Sequence, residues 1–561
     1  MKNLLYAAMI ALVMLASCEE KQAGDDGFAS VTTTVEPTIT PHRAPFSKGI
    51  NLTWFEREVD ILRALEHVIH IKRLGADVIR LPLDLFHESR MNADYSLNPF
   101  FLKQLRELCV YAEREQIYLI LDNHSLYSSY NALNGGMPPL MDELLVTVWT
   151  QLAEVLKDRG RYIIYEILNE PYVGSWYDIQ AHVINAIREI DPHRTVVVDI
   201  GDIEQSSAYA NLQNLIYSVH YYAPFLFTHQ GAWWSNIETP SWTWEPMKDV
   251  KGIPWPPDAT KMPSAPSAKL EPVYERYVST PDNTPNAMAE EFNVFAKWSQ
   301  DHSAPVFCGE YGVYMKYAPH YDRVRWYDFV SGELDRRGIS RTSWEYFDTG
   351  FGPFQAGSSF PQSFYADLDN DIVKAMRFTP PVSRRTQTIT GNFPVYEDYL
   401  AQDVYFSKTT EDFDGLYSAD RAAGEHAILW KNVPWYLGFS LNFVNNINWQ
   451  DLKNNGYSLE FRAKTDMPEP VRFDVRFKNE GEIEWLMRQA VSVPAAGAWH
   501  TITVPLNKMG EQGAAKPGGG WLAPNGEFSW SKIRSLEFIA EYGTISGTML
   551  IDEIKIIAPN N

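Results

Sequence analysis

The sequence predicts an α/β fold, a (β/α)8 barrel, followed by an all-β jelly-roll sandwich domain. Between residues 49 and 347, eight short apolar runs alternate with longer amphipathic segments, which is the pattern of strand–helix units around a parallel barrel. Most of these runs end at their C-terminal side in a His, Asn, Glu, Tyr or Trp residue, and barrel active sites are built at that end of the strands. From about residue 395 the pattern changes to short alternating strands, which is typical of a β-sandwich.

The first 17 residues have the parts of a secretory signal peptide: Lys2, a short apolar stretch, and small residues before Cys18. The apolar stretch is too short to span a bilayer comfortably, so a permanent membrane helix is the less favoured interpretation. Residues 15–18, LASC, resemble the lipobox of bacterial lipoproteins. This resemblance implies that Cys18 is lipidated and that the protein is a secreted outer-membrane lipoprotein at the cell surface. Residues 18–45 are predicted to be the lipidated cysteine and a flexible tether, because they lack apolar periodicity.

The TIM barrel is predicted over residues 46–378. Its strands are expected at 49–54, 77–83, 118–124, 162–171, 195–202, 215–222, 306–313 and 342–347. These runs are continuously apolar because both faces of a parallel barrel strand are buried. Between them, apolar residues recur at helical spacing, most clearly over 59–75, 101–116 and 141–160. A doubly wound open sheet is the rival fold, and the polar residues at the strand ends favour the barrel.

One connection, from residue 223 to about 285 after the sixth strand, is much longer than a barrel loop needs to be. It contains five tryptophans: Trp233, Trp234, Trp242, Trp244 and Trp255. Long loops in compact domains are usually functional or disordered. The tryptophans predict an ordered wall of a cleft, and packing of the loop onto itself is the alternative.

Residues 379–394 are predicted to be a linker, because TPPVSRRTQT combines prolines with charge. The sandwich is predicted over 395–559, with strands at 456–465, 471–479, 498–506, 535–543 and 547–557. This stretch resembles the jelly-roll carbohydrate-binding modules that are appended to secreted glycanases, including their terminal IDEIKI strand. Asp552 and Glu553 in that strand could supply two ligands of a structural calcium ion, which takes about six to eight oxygens.

The composition narrows the range of partners. The formal net charge of −22 at pH 7 disfavours nucleic acid and anionic membrane surfaces, since phosphate binding needs clustered Lys and Arg. The sequence contains no Gly-rich phosphate loop and no Cys/His cluster with zinc spacing. Cys109 and Cys308 lie in apolar patterns and predict buried thiols rather than a disulfide. A neutral polysaccharide is the expected partner, and the membrane is reached only through the N-terminal lipid.

A set of polar and aromatic residues stands at the predicted strand ends. In chain order they are Arg80 in VIRLPL, His124 in LDNHS, Asn169, Glu170 and Pro171 in LNEP, His220 and Tyr222 in HYYAP, Glu310 in FCGEYG and Trp344 in SWEYF. Each motif alone is a weak signal, but the whole set in order at strand ends is a strong one. With these residues, the stretch 46–378 resembles glycoside hydrolase family five, a clan A family of retaining glycanases. FTHQG (227–231) also resembles the loop after strand six in that family.

The resemblance implies that Glu170 is the acid/base and Glu310 the nucleophile. Hydrolysis with retention needs two carboxyl groups about 5 to 5.5 Å apart, one attacking the anomeric carbon and one protonating the leaving oxygen. Strands four and seven lie across a narrow barrel and can supply that gap. At neutral pH Glu170 is then expected to hold a proton while Glu310 is ionised. No cofactor and no metal are needed for this chemistry.

The other residues are expected to bind substrate or to support the two glutamates. Arg80 and Tyr222 would stabilise the Glu310 carboxylate, and His220 would lie near Glu170. Asn169 would bond the sugar 2-hydroxyl and Trp344 would stack on a sugar face. His124 is the remaining residue that is expected to bind substrate. A network that merely satisfies buried polar groups is the alternative for Arg80, His124 and His220. The first strand follows the family's opening only loosely, so Trp54 and Glu56 receive no role.

The expected function is that of an endo-acting β-1,4-glucanase on cellulose, mixed-linkage glucan or xyloglucan. A β-mannanase with the same catalytic residues is the alternative, since the two differ only in contacts to one sugar hydroxyl. A hypothesis of a different class is a catalytically silent glycan-binding lipoprotein at the cell surface. The presence of both glutamates argues against that hypothesis. Endo or exo action and the oligomeric state are left open.

Overall fold

The computed structural model describes most of the chain from residue 30 onward. The described ranges are 30–37, 39–53, 61–87, 90–125, 141–171, 175–199, 212–347, 350–355, 367–381, 385–408, 418–495, 497–516 and 519–559. The predicted signal peptide and Cys18 lie outside these ranges, so the lipid anchor stays a prediction. Within the described ranges, no helix combines the length and the apolar character needed to cross a bilayer.

Eight parallel strands close into a barrel, which confirms the predicted fold class. They are β1 (Lys48–Asn51), β2 (Val78–Leu83), β3 (Tyr118–Asn123), β4 (Ile163–Glu166), β5 (Val196–Asp199), β6 (Leu215–Tyr221), β9 (Val306–Tyr311) and β10 (Ser340–Ser343). The hydrogen-bonded order runs β1–β10–β9–β6–β5–β4–β3–β2 and back to β1. Each strand falls within or next to a predicted apolar run. Two short strands between β6 and β9 are not part of the barrel: β7 (Asn236–Glu238) and β8 (Trp244–Pro246). They form a hairpin in the long connection after β6.

Helices follow the strands and cover the outside of the barrel. They are α1 (Ile61–Arg73), α2 (Pro99–Glu115), α3 (Met141–Leu156), α4 (Trp176–Ile190), α5 (Phe225–Thr228), α6 (Glu271–Ser279), α7 (Pro285–His302), α8 (His320–Arg336) and α9 (Asn370–Ala375). Local sequence sets their ends, as α2 illustrates. Pro99 occupies its first turn, the Asn98 side chain accepts from the Phe100 amide, and Gln116 ends the helix in the left-handed conformation. Cys109 and Cys308 are buried free thiols, as predicted.

The inside of the barrel has an apolar lower part and a charged upper part. The lower part is a separate cluster of buried residues: Phe46, Val78, Tyr118, Ile120, Ile164, Val197, Ile216 and Phe307. Side chains alternate along a strand, so the inward residue two positions after each of Val78, Ile120 and Ile164 lies one layer higher. Those residues are charged and fully buried: Arg80, Asp122 and Glu166. The barrel floor therefore supports a layer of charge at the strands' C-terminal ends.

The C-terminal domain is a sandwich of two sheets. One holds β11 (Thr386–Thr388), β13 (Val404–Lys408), β15 (Gly438–Asn448), β17 (Val471–Asn479), β18 (Trp485–Val493), β20 (Gly510–Ala515), β21 (Trp521–Leu522) and β22 (Ile533–Ile539). The other holds β12 (Phe393–Tyr396), β14 (Ile428–Val433), β16 (Ser458–Thr465), β19 (His500–Pro505) and β23 (Ile545–Ile557). A short helix, α10 (Gln450–Asn454), follows β15. Stacked aromatic rings such as Phe439 and Phe538 fill the space between the sheets.

The stretch predicted as a linker, 379–394, contains part of the sandwich. β11 pairs in parallel with β15, and β12 pairs with β23 and begins at Phe393. Short strands at a sheet edge have too little alternation to stand out from a Pro-rich, charged sequence. A role of the sandwich in glycan binding stays a prediction.

Asp552, a residue considered for calcium, already has protein partners. It is fully buried, and its oxygens accept from the amides of Ala422, Ala423 and Glu553 at 2.8 to 3.2 Å. The Glu553 carboxylate lies 3.2 Å from the Lys555 ammonium. These contacts account for both carboxylates without an ion, and calcium binding stays a prediction.

The sandwich packs against the outer face of α1 and α2. Tyr111 donates to the Val404 carbonyl at 3.0 Å in a buried contact. The buried Glu115 carboxylate pairs with Lys72 at 2.6 Å and accepts from the Asp403 amide at 3.0 Å. These residues lie near the C-terminal ends of their helices, which are at the barrel floor because each helix runs antiparallel to its strand. The sandwich therefore packs against the side of the barrel, with these contacts nearer the floor than the charged layer.

This contact predicts that the barrel depends on the sandwich for part of its stability. A chain that ends at residue 381 exposes the apolar face of α1 and α2 and leaves Tyr111 and Glu115 without their sandwich partners. We expect its thermal unfolding midpoint to lie several degrees below that of the longer chain, with increased binding of an apolar dye. Equal midpoints for the two chains would show that the docking surface contributes nothing to barrel stability.

Candidate active site

Arg80 lies at the centre of the charged layer and is fully buried. Its Nε and Nη2 atoms donate to the two oxygens of Glu166 at 2.8 and 2.9 Å. Nη1 donates to Glu310 at 2.8 Å and to the Asn51 side-chain oxygen at 2.9 Å, and Nη2 donates to the Asn169 side-chain oxygen at 2.8 Å. One guanidinium thus fixes four side chains, which come from β1, from β4 and the residues just after it, and from β9.

Glu310, at the end of β9, is almost completely buried, and each of its carboxylate oxygens has a donor. Oε1 accepts from Arg80, and Oε2 accepts from the Tyr222 hydroxyl at 2.8 Å. Burial, and next the adjacent Glu310 carboxylate, raise the pKa of Tyr222 well above its ordinary value. The phenol therefore stays protonated and donates a hydrogen bond to Glu310. The structure brings Arg80 and Tyr222 to Glu310 as the sequence predicts.

The backbone around Glu310 is shaped to admit His220. The register of β6 and β9 shifts between Val219 and His220, and the shift brings His220 opposite Glu310. Gly309 leaves the necessary space, because a Cβ there would lie 2.6 Å from Ser218 Oγ and 3.2 Å from His220 Nε2. The glycine before Glu310 is therefore required by packing.

Glu170 follows β4 and faces Glu310 across the rim. It has φ of 40°, a left-handed backbone conformation that is uncommon for a non-glycine residue and is concentrated at functional sites. Its Oε1 lies 2.7 Å from His220 Nδ1, and its side chain is 59% exposed. One oxygen of Glu170, one oxygen of Glu310 and one ring nitrogen of His220 lie within 4.8 Å of one another. Among the described residues this is the one group whose atoms could also ligate a metal ion.

The protonation of Glu170 differs from the expectation. The hydrogen bond from His220 is the largest effect and lowers the pKa of Glu170 to about 2, outweighing the opposite effect of desolvation. In the protein without substrate, Glu170 is therefore ionised at neutral pH rather than protonated. The sequence places the two residues 50 positions apart, so their contact could be inferred only from the resemblance.

His124, Asn169 and Trp344 form a second group beside the glutamates. His124 Nδ1 lies 2.7 Å from Asp122 Oδ2, and its Nε2 lies 3.3 Å from Asn169 Nδ2. Because Arg80 holds the Asn169 oxygen, the amide NH2 faces His124, which accepts through Nε2. Trp344 stacks on the His124 ring with a centroid distance of 5.3 Å and an angle of 20°. All eight predicted catalytic and binding residues thus lie in one connected group. Trp54 and Glu56 lie outside the described residues.

Three further residues belong to this site and were not predicted from the sequence: Asn51, Asp122 and Glu166. Asp122 lies 3.0 Å from Arg80 and orients His124, while Asn51 donates to the Gly309 carbonyl at 2.9 Å. A signal for the two acids was present, because each is a carboxylate inside an apolar strand and needs a buried cation. Burial raises the pKa of Glu166 to about 7, and Arg80 opposes this shift.

Comparison with known proteins identifies the family. Residues 39–350, more than half of the chain, match the cellulase family, glycosyl hydrolase family 5. The protein belongs to glycosyl hydrolase family 5.

Several curated proteins are similar to this chain at low identity. Endoglucanase H of Acetivibrio thermocellus is 21% identical over 515 residues, which is 87% of this chain and 50% of that protein. Endoglucanase C of the same species is 24% identical over 326 residues, covering 54% of this chain and 91% of that protein. Cellodextrinase A of Ruminococcus flavefaciens is 25% identical over 319 residues, or 52% of this chain and 83% of that protein. The chain spans about half the length of Endoglucanase H and of Endoglucanase 3 from Fibrobacter succinogenes.

Solved structures give matches over 59% of this chain. Thermotoga maritima Cel5A in complex with mannotriose is 25% identical with a TM-score of 0.47, covering 59% of this chain and 97% of that one. The cellulose synthase subunit Z of Clostridioides difficile is 21% identical with a TM-score of 0.46, covering 59% and 99%.

The contacts of Arg80 predict a large stability loss when it is replaced. Arg80→Met leaves buried carboxylates without their cation, so the free energy of unfolding should fall by about 3–5 kcal/mol. Lys297→Met is the control, since Lys297 and Asp301 form an exposed ion pair that should contribute less than about 1 kcal/mol. Urea unfolding measures both.

The Arg80→Met deficit should also grow with pH. The pKa of Glu166 is already raised from 4.5 to about 7, and loss of the cation raises it further. A carboxyl group with a raised pKa in the folded state loses stability as pH rises from its unfolded value. The deficit should therefore be larger at about pH 8 than at about pH 5. A deficit that shrinks with rising pH would mean that Arg80 does not neutralise this carboxylate.

Proposed function

We propose that the protein is a retaining endo-glycosidase that hydrolyses β-1,4-linked glucan by double displacement. The observation that carries the proposal is the approach of Glu170 and Glu310, whose oxygens come within 4.8 Å. Carboxyl groups about 5 to 5.5 Å apart suit a retaining enzyme, whereas an inverting enzyme needs about 6.5 to 9.5 Å to admit water. Membership of the family supports the same chemistry.

In the first step Glu310 is the nucleophile. Arg80 and Tyr222 each bond one of its oxygens, which holds the carboxylate in one orientation beneath the anomeric carbon. As the bond from Glu310 to that carbon forms, the bond to the leaving oxygen breaks, and Glu170 gives that oxygen a proton. The product is a glycosyl ester of Glu310 with inverted configuration.

In the second step Glu170 is the base. It takes a proton from a water molecule, the water attacks the anomeric carbon, and the Glu310 ester is released. The second inversion restores the original configuration, and Glu170 is protonated again for the next cycle.

Glu170 must be protonated to act as an acid, and substrate binding favours its protonation. Its side chain is 59% exposed and ionised in the free protein. A sugar chain that covers it excludes water and leaves two carboxylates close together, and both effects favour the protonated form. Proton uptake therefore accompanies substrate binding. His220 Nδ1 lies 2.7 Å from Glu170 Oε1 and holds this carboxyl group in place.

The assignment to glucan is supported by the curated relatives. Those reported above carry the names endoglucanase and cellodextrinase. The neutral substrate also suits a chain of net charge −22.

A polysaccharide panel tests the substrate assignment. We expect the viscosity of soluble β-1,4-linked glucan to fall much faster than reducing ends appear, because internal bonds are cut first. The panel contains cellulose, mixed-linkage glucan, xyloglucan and mannan, with product sizes measured. Cleavage of mannan alone would move the assignment to a β-mannanase, and no cleavage of any polymer would favour the silent glycan-binding protein.

Azide rescue tests the roles of the two glutamates. Glu310→Ala removes the nucleophile, so the rate should fall by several orders of magnitude on any substrate. Glu170→Ala should still react with an aryl glycoside that has a good leaving group, and the glycosyl-enzyme should accumulate because no base activates water. Azide needs no such base, so it should restore turnover of Glu170→Ala and yield the β-glycosyl azide after two inversions.

The stereochemistry of the products makes this test decisive. In Glu310→Ala azide can only attack directly, which gives the α-glycosyl azide by one inversion. Wild-type protein, as the control, should gain nothing from azide. If the two variants give each other's products, the roles of Glu170 and Glu310 are exchanged.

A further inference from the structure

The hairpin of β7 and β8 displays three tryptophans to solvent. Trp233 precedes the hairpin and is 72% exposed, Trp242 lies in its turn and is 81% exposed, and Trp244 begins β8 and is 65% exposed. These are the most exposed large apolar side chains in the part of the chain that the structure describes. Packing of the loop onto itself, the alternative raised by the sequence, does not account for them.

The hairpin turn is ordered and holds Trp242 in an unfavourable backbone conformation. The Thr239 hydroxyl lies 2.9 Å from the hydroxyls of both Ser241 and Thr243, and the Trp242 amide donates to the Thr239 carbonyl at 2.9 Å. Trp242 has φ of 60°, which is rare for a bulky side chain. A bulky side chain that is both exposed and held at positive φ gains nothing for folding, which makes Trp242 a candidate functional residue.

The two ends of the segment that carries the hairpin, near Phe227 and Trp255, are buried and well packed. Gln230 is fully buried, and its side chain donates to the Phe227 and Ile253 carbonyls and accepts from the Ile253 amide at 2.9 to 3.2 Å. Trp255 is buried beside Phe227 and Phe329. The hairpin is therefore presented from a fixed base.

A continuous path of aromatic rings joins the hairpin to the catalytic group. Tyr222, which bonds Glu310, has its ring 5.1 Å from that of His229, and His229 lies 5.7 Å from Phe351. Tyr314 lies 5.5 Å from Phe351 and 4.9 Å from Trp234. Trp234 in turn lies 5.8 Å from Trp233. This partly buried path reaches Trp233, and Trp242 and Trp244 lie in the hairpin that follows it along the chain.

We infer that Trp233, Trp242 and Trp244 form an aromatic extension of the cleft that binds the glucan chain beyond the sugars around the cleaved bond. Indole faces suit the apolar faces of pyranose rings, and a neutral chain needs no charged partner. The sandwich packs against the side of the barrel, nearer its floor than the charged layer, so it is not placed to line this end of the cleft. The inference rests on the proposed function, and it implies that the enzyme prefers long glucan chains to short ones.

Substrate length tests the inference. The chain with Trp233→Ala, Trp242→Ala and Trp244→Ala is compared with the wild-type chain on cellohexaose and on an aryl β-cellobioside, which is too short to reach the hairpin. The ratio of kcat/KM for cellohexaose to that for the aryl cellobioside should fall about tenfold or more, mainly through KM. Trp435→Ala, which removes an exposed tryptophan of the sandwich rather than of the barrel, should leave the ratio unchanged. Trp242→Ala alone should give part of the effect.

The outcomes separate this inference from the proposed function. If the kcat/KM ratio is unchanged in the triple variant, the inference is overturned and the proposed function stays intact. The same holds if the ratio falls equally in Trp435→Ala. If the wild-type chain hydrolyses neither substrate, the proposed function fails and the inference is judged on binding. Affinity electrophoresis in gels that contain soluble β-glucan should then retard the triple variant less than the wild type. Equal retardation, or none for the wild type, overturns the inference.

Discussion

The buried guanidinium of Arg80 is the interaction on which the upper barrel depends. It bonds Glu166 through two parallel contacts and reaches Glu310, Asn51 and Asn169 with its remaining N–H groups. Only arginine presents this many donors in one rigid plane, so a lysine could not make the same set of bonds. Each carboxylate is expensive to bury alone, and the cation makes burial of several of them tolerable. The position of Glu310, the proposed nucleophile, is therefore set by a residue from another strand, β2.

The alternation of side chains along β-strands explains why this cation lies where it does. Val78 and Arg80 are two residues apart and both face inward, and the same holds for Ile120 and Asp122. A single strand thus supplies both the apolar floor and the charge above it. A one-residue slip of any barrel strand would bury charge against the helices and remove it from the site.

Sequence reasoning found most of the barrel and its site, for identifiable reasons. The barrel strands are continuous apolar runs with polar residues toward their C-terminal ends, and the resemblance to the family placed Arg80, Glu170 and Glu310 together at that end of the barrel. Asp122 and Glu166 were not predicted because the family motifs assign roles to His124, Asn169 and Glu170 in the same runs and none to these two acids. The ionised state of Glu170 was not foreseen because it depends on the geometry of its bond with His220. The strand β11 was missed because three exposed polar residues carry no periodic signal.

The docking of the sandwich against the barrel has a consequence for how the molecule would work on a solid. Two modules joined by a slack tether sample many separations, whereas modules held by contacts such as Tyr111 to Val404 keep one separation and one orientation. If the sandwich binds glycan, as the sequence predicts, its site would stay at a fixed distance from the cleft. Avidity between the two sites would then depend on how glycan strands are spaced in the material and not on the flexibility of a linker.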